Sequence, residues 1–118
     1  FLLDTIGELR AAYALADVVV VGRSFGDLYG SDPVEPIALG KATVIGPRAS
    51  DFQVIVEAFE RDRGIVRTTR EELAATLAEL LASEERRREL ARNGRACIVA
   101  NQGATRRHAE LLLSLVRK

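Results

Sequence analysis

With 118 residues, 47% of them hydrophobic and 29% charged, the chain has room for one compact soluble domain with a real core, and not for two. Its 17 basic and 17 acidic residues balance. That argues against a large nucleic acid or an anionic membrane as the main partner, while leaving room for a local basic pocket that takes one phosphate. The single cysteine, Cys97, excludes an internal disulfide and speaks for a reducing compartment; no apolar run approaches the ~20 residues that span a bilayer.

In chain order, Phe1 to Leu3 reads as the middle or end of a buried strand. No initiator Met precedes it, so a piece of a longer protein is expected. Glu8 to Ala16 has helical character. Asp17 to Gly22 is the clearest strand: Val18 to Val21 are β-branched and unbroken, which predicts burial on both faces. Pro33 to Leu39 follows as a short helix, and Ala42 to Gly46 as a second buried strand. Asp51 to Arg63 is again helical, and Gly64 to Arg67 is a fourth apolar run. Ser50 with Gln53, and Thr69 with Glu72, have the spacing of capping boxes. Ser83 before Glu84 and Glu85 reads as a cap followed by acids that suit the helix dipole. Leu73, Leu77, Leu80 and Leu81 form one apolar stripe. Leu90, Cys97 and Ile98 form a second, and Leu111, Leu112, Leu115 and Val116 a third, with a helix break expected near Gln102 and Gly103.

Strands alternating with helices predict an α/β fold, a parallel sheet with flanking helices and a helical C-terminus, in one domain over residues 1–118. Four strands are fewer than a doubly wound sheet usually has. A truncated sheet edge or an apolar helix face should then be exposed and pair with another chain, a homodimer included.

Ligands of such sheets bind beyond the C-terminal ends of the strands. Three loops leave those ends: residues 4–9, 22–33 and 46–51. The second holds Gly22, Gly26 and Gly30, which permit close backbone approach, and it ends at Pro33, suited to a first helical turn. The free amides of that helix would favour an anion. Ser24 or Ser31 could hydrogen-bond a phosphate oxygen, and Arg23 or Arg48 could neutralise one. Glu35, one turn inside, is placed to accept two hydrogen bonds from a ribose diol. Each has a plainer reading: Glu35 suits a first turn anyway, Asp32 suits an N-cap, and Arg48 suits a solvated loop. Cys97 lies on an apolar stripe and reads as core. His108, the only histidine, reads as surface or helix packing. With one His and one Cys, no zinc-type site is expected. Arg86 to Arg88 alternate with acids as a solvated helical face. No Ser-His-Asp spacing and no phosphate-loop lysine motif stands out.

The ordered set of loops is more specific than any piece of it. Asp4-Thr5-Ile6-Gly7-Glu8-Leu9 is followed by Tyr13-Ala14 and Ala16-Asp17, then by Gly22 and Ser24. Gly30, Pro33, Glu35 and Pro36 come next, and Ala38 to Lys41 and Gly46-Pro47 close the set. This series resembles the C-terminal lobe of 3-deoxy-manno-octulosonic acid (Kdo) transferases, inverting glycosyltransferases of the two-lobed, Rossmann-like GT-B architecture. The resemblance covers nearly the whole chain and extends to Asn101 to Ala104.

The resemblance implies a nucleotide-sugar site for CMP-Kdo, with the lipid A precursor, or an oligosaccharide begun on it, as acceptor. Thr5, Gly7 and Glu8 match a loop lining that site. Ser24 matches the serine of a Gly-Gly-Ser turn near the phosphate, and Glu35 matches the glutamate expected at the ribose. Gly46, Pro47 and Phe52 match a loop closing over the site. Three departures stand out. Arg23 replaces a glycine; Gly30, Ser31 and Asp32 stand where Gly-His-Asn is usual; Arg48 replaces a histidine. The acid at Asp32 would repel a phosphate, and Arg23 and Arg48 would offset it. The implied catalytic base sits in an N-terminal lobe outside this chain, so no catalytic residue, cofactor or metal is assigned here. The fragment alone is expected to be inactive. A cytoplasmic location, reaching to the inner face of the cytoplasmic membrane, is expected, and no nucleic-acid partner. Two rival readings are an epimerase on the same architecture and a non-catalytic module with a degenerate site.

Overall fold

The computed structural model describes residues 9–26 and 32–116. The elements are α1 (Leu9–Ala14), β1 (Val18–Val21), α2 (Val34–Ala38), β2 (Ala42–Ile45), α3 (Gln53–Arg61), β3 (Val66–Arg67), α4 (Leu73–Ala82) and α5 (Glu84–Val116). Short 3-10 turns at Gly22–Phe25 and Ser50–Phe52 follow β1 and precede α3. The three strands form one parallel sheet in the order β1-β2-β3. Val18 to Val21 pair with Ala42 to Ile45, and Val44 and Ile45 pair with Val66 and Arg67. The α/β architecture with a helical C-terminus is thus the one the sequence predicts; the expected strand at Phe1 to Leu3 lies outside the described residues.

The sheet is covered on both faces. On one, Ala42 and Val44 pack with Leu80 of α4 and Leu90 of α5. On the other, Val21 and Ile45 pack with Ile37, Val56, Phe59 and Cys97 from α2, α3 and α5. All four residues of β2 are buried, as its unbroken apolar run requires. β1 departs from expectation. It has only β2 beside it among the described residues, and Val20 is 36% exposed.

Local signals explain most boundaries. Ser83 Oγ accepts from the Arg86 amide at 3.1 Å, so the expected cap at the start of α5 forms. Thr69 Oγ1 accepts from the Glu72 amide at 3.2 Å and starts the turn that leads into α4. The Ser50–Gln53 box does not form. The chain enters α3 through the Ser50–Phe52 turn, and Gln53 Nε2 donates forward to Glu57 at 2.9 Å instead of back to Ser50. α3 ends with Arg63 at φ 59°. The Gly64 amide donates to Phe59 O and the Arg63 amide to Glu60 O, the paired closure of a left-handed helix end. Asn93 Nδ2 steadies that turn by donating to Arg63 O at 3.1 Å.

Three further expectations are corrected. α5 runs unbroken through Gln102 and Gly103. A glycine costs only ~1 kcal/mol against alanine in a helix, too little by itself to end one that continues on both sides. Leu81 is 56% exposed, because it turns about 100° from Leu80 and leaves the stripe. In the Arg86 to Arg88 run, Arg88 does pair with Glu84 on the solvated face, but Arg87 donates to Leu80 O and Leu81 O and closes the carboxyl end of α4.

Cys97 is buried, as expected. Burial above all, with a hydrogen bond to and the charge of Asp62, pushes its thiol up to about 11. The thiolate is the reactive form. Iodoacetamide should therefore label Cys97 at pH 8 only as fast as the chain opens, with labelling restored in denaturant. Labelling at the rate of a free thiol would contradict the burial.

Candidate functional site

The C-terminal ends of the three strands open onto one side of the sheet, where the loops after β1 and β2 are tied together by one residue. Ser24 is completely buried. Its hydroxyl donates to Val21 O and accepts from the Gly46 amide at 2.7 Å. Its carbonyl accepts from the Arg48 amide at 2.9 Å. The hydroxyl that sequence reasoning offered to a phosphate is thus committed inside the protein, and Ser24 acts here by holding loops in place. Gly46 fits against it because it lacks a side chain. A Cβ there would lie 2.6 Å from Ser24 O and 2.9 Å from the Phe25 ring.

Two arginines outside the expected set extend the framework. Arg70 donates to Phe25 O at 2.9 Å, joining the first loop to the segment after β3. Arg67 pairs with Glu60 at 2.9 Å and donates to Pro47 O at 3.2 Å, fixing the second loop against α3. Neither loop tie is legible in the chain, since the bond to Pro47 O spans 20 residues and the bond to Phe25 O spans 45. Beside them opens a cavity of about 400 Å³ lined by Pro47, Arg48, Ser50, Gln53, Glu57 and Arg67. Pro47 and Arg48 were expected here; Gln53 and Glu57 arrive because they are one turn apart on α3.

The Gly22–Phe25 turn presents Gly22 and Arg23 to solvent. Asp32 Oδ1 accepts from the Val34 amide at 2.8 Å, so it caps the amino end of α2 and takes up a donor that an anion would otherwise use. Glu35 is exposed in the first turn. It has no ion pair among the described residues and is open to a ligand. Tyr13 of α1 stands near both acids. Its hydroxyl titrates above its ordinary value, first through burial and then through the charges of Glu35 and Asp32. Thr5, Gly7, Glu8, Gly30 and Ser31 lie outside the described residues. Among the described residues no group of His, Cys, Asp and Glu is gathered as a metal site would require.

The structure is similar to the crystal structure of the C-terminal CMP-Kdo binding domain of WaaA from Acinetobacter baumannii. The TM-score is 0.77 at 30% identity, covering 81% of this chain and 51% of that one. In sequence it is 34% identical over 110 residues to a 3-deoxy-D-manno-octulosonic acid transferase of Bordetella pertussis. It is 31% identical over 111 residues to the transferase of that name from Haemophilus influenzae. Each alignment covers 92% of this chain and 26% of the relative, so the chain spans about a quarter of the length of these proteins. The model of the glycosyl transferases group 1 family matches residues 2–96, the stretch that carries the sheet, its three loops and most of the covering helices. By that match the chain belongs to the glycosyl transferases group 1 family.

Proposed function

We propose that this chain is the nucleotide-sugar-binding C-terminal lobe of a Kdo transferase, an inverting enzyme that moves Kdo from CMP-Kdo to a lipid A precursor. The observation that carries the reading is the likeness, in fold and in sequence, to the C-terminal CMP-Kdo binding domain of WaaA. The open side of the sheet supports it. Exposed Glu35 can accept from a ribose diol, and Arg23 and Arg48 flank the loops where the leaving phosphate would gain charge. A base in the N-terminal lobe deprotonates the acceptor hydroxyl, which displaces CMP at the anomeric carbon in a single step. The chain alone then binds donor without turning it over.

Among the described residues no helix is long and apolar enough to cross a membrane. The proposed acceptor puts the enzyme at the inner face of the cytoplasmic membrane. The exposed Leu111, Leu112, Leu113 and Leu115 of α5 would meet the N-terminal lobe or, in the isolated chain, a second copy. The cap made by Asp32 favours a second reading, a module whose donor site has degenerated.

Titration of CMP and UDP by calorimetry separates these readings. CMP should bind more tightly than UDP, and Glu35→Ala should weaken CMP by about 10–100-fold, the equivalent of ~1.5–3 kcal/mol for a charged hydrogen-bonding group. A UDP preference would point to another member of the family. Failure of the full-length protein to bind either nucleotide would favour the degenerate module.

A further inference from the structure

At the opposite end of the sheet, before the strands begin, lies a second cavity of about 480 Å³. Its walls are the turn into β1 at Ala16 and Asp17, the turn into β2 at Gly40 and Lys41, and one face of α5. The chain as a whole is neutral, with 17 basic and 17 acidic residues, yet five cationic side chains line this space against two carboxylates. The excess is local and is not a property of the composition.

The two acids do not cancel it. Glu84 is held by Arg88 at 2.8 Å, which leaves Asp17 as the other carboxylate. Arg87 spends its hydrogen bonds on the end of α4 but keeps its charge at the cavity. Arg92 and Arg95 have no ion pair or hydrogen bond among the described residues. They lie three residues apart on α5, so both project to the same side of the helix. The stem of Arg95 passes over Gly40, its Cδ 4.0 Å from where a Cβ would stand. Gly40 has φ 80°, a conformation suited to glycine, and its bare backbone leaves Arg95 room beside Lys41. Lys41 also lines the cavity, and its Nζ donates to Ala14 O at 3.2 Å.

Two unengaged guanidinium groups and a lysine around one open cavity are an arrangement for a multiply charged oxyanion. A guanidinium presents paired donors that match phosphate oxygens, and the ammonium adds a compact charge. The space exceeds what one inorganic phosphate fills. We propose that this cavity is a second anion site, separate from the strand ends where the donor is placed, and that it takes a phosphate-bearing anion such as a diphosphate or a phospholipid headgroup. The proposal does not depend on the identity of the sugar donor.

Inorganic pyrophosphate titrated into the chain at low salt, followed by amide NMR, tests it. Saturable shifts are expected at Gly40, Lys41, Ala91 and Arg95. Arg92→Ala with Arg95→Ala should weaken binding at least tenfold, and the two lysine replacements should restore much of it. Glu35→Ala, at the other end of the sheet, should leave it unchanged, and added salt should weaken it steeply. Vesicles of phosphatidylcholine with and without phosphatidylglycerol then identify the source. Recruitment by the anionic vesicles, lost in the same double variant, assigns a lipid headgroup; pyrophosphate binding without recruitment assigns a soluble anion. Shifts confined to the Gly22–Ser24 and Pro47–Arg48 loops, or no saturable shift in a double variant control and parent alike, would overturn the proposal.

Discussion

Replacing Gly64 by alanine should cost about 3 kcal/mol or more, at or above the upper end of what overpacking a core usually costs. The new Cβ would stand 2.5 Å from the Cα of Gly94 and 2.6 Å from its backbone nitrogen. No flexible side chain can give way, because the obstacle is the backbone of α5. The helix would have to retreat from the sheet, and with it Leu90 and Cys97, which fill the two cores on either side of Gly94. Gly94→Ala meets Ile37 Cγ2 at 2.4 Å and Gly64 O at 3.0 Å, but it gains up to ~1 kcal/mol of helix propensity, so it should cost less than Gly64→Ala. Gly103→Ala has the opposite sign. Its Cβ meets only the Arg107 guanidinium at 3.6 Å, and the unbroken α5 should gain ~0.5–1 kcal/mol. Urea unfolding of the three variants checks the order. Equal stability of Gly64→Ala and the parent would mean that α5 does not sit on this backbone.

The contrast between these glycines shows where the sequence speaks and where it is silent. Val18 to Val21 and Thr43 to Ile45 announce strands because β-branched runs suit a buried sheet, and both form. Ser83 announces a helix start because its hydroxyl can reach an amide three residues on. These are local effects, and local order carries them. Gly64 and Gly94 are 30 positions apart, and nothing in either neighbourhood says that the two backbones touch. Gln102 and Gly103 show the reverse error: a local breaker signal yields to the helix on both sides. The Ser50 box fails for the same reason, since a 3-10 turn fitted to the loop after β2 moves the helix start past it.

The candidate site divides along the same line. Parallel topology puts the loops after β1 and β2 at one end of the sheet, so Gly22, Arg23, Pro47 and Arg48 were legible from strand order alone. The direction of a side chain inside a turn was not. Ser24 sits three residues after the end of β1, between exposed Arg23 and half-buried Phe25, and only the approach of Gly46 shows that it faces inward. Arg67 reads as the end of an apolar run, yet its guanidinium reaches across to Glu60 and Pro47. Lys41, Arg92 and Arg95 are scattered over 55 positions and gather only when α5 crosses the start of β2.

Ser24→Ala carries the second large effect. Removing the hydroxyl strips the buried Gly46 amide of its partner and frees Val21 O of its donor. An unmet buried donor costs ~1–3 kcal/mol, which for a domain of this size lowers the melting temperature by roughly 4–12 °C. Threonine would keep the hydroxyl but add a methyl where no space remains, so Ser24→Thr should not rescue it fully. The loss should also loosen the loop from Gly46 to Arg48, because the Arg48 amide on Ser24 O then has to hold it to the first loop without the Gly46 bond, while Arg67 holds Pro47 O from the side of α3. If the proposed donor site lies there, CMP affinity should fall together with stability, and hydrogen exchange at Gly46 should quicken in the free protein. A group that touched the phosphate directly would behave otherwise: affinity would drop while the melting temperature and the Gly46 exchange rate stayed at the parent values. Measuring both on one preparation therefore separates a serine that holds the loops from one that meets the ligand, and the buried geometry requires the first outcome.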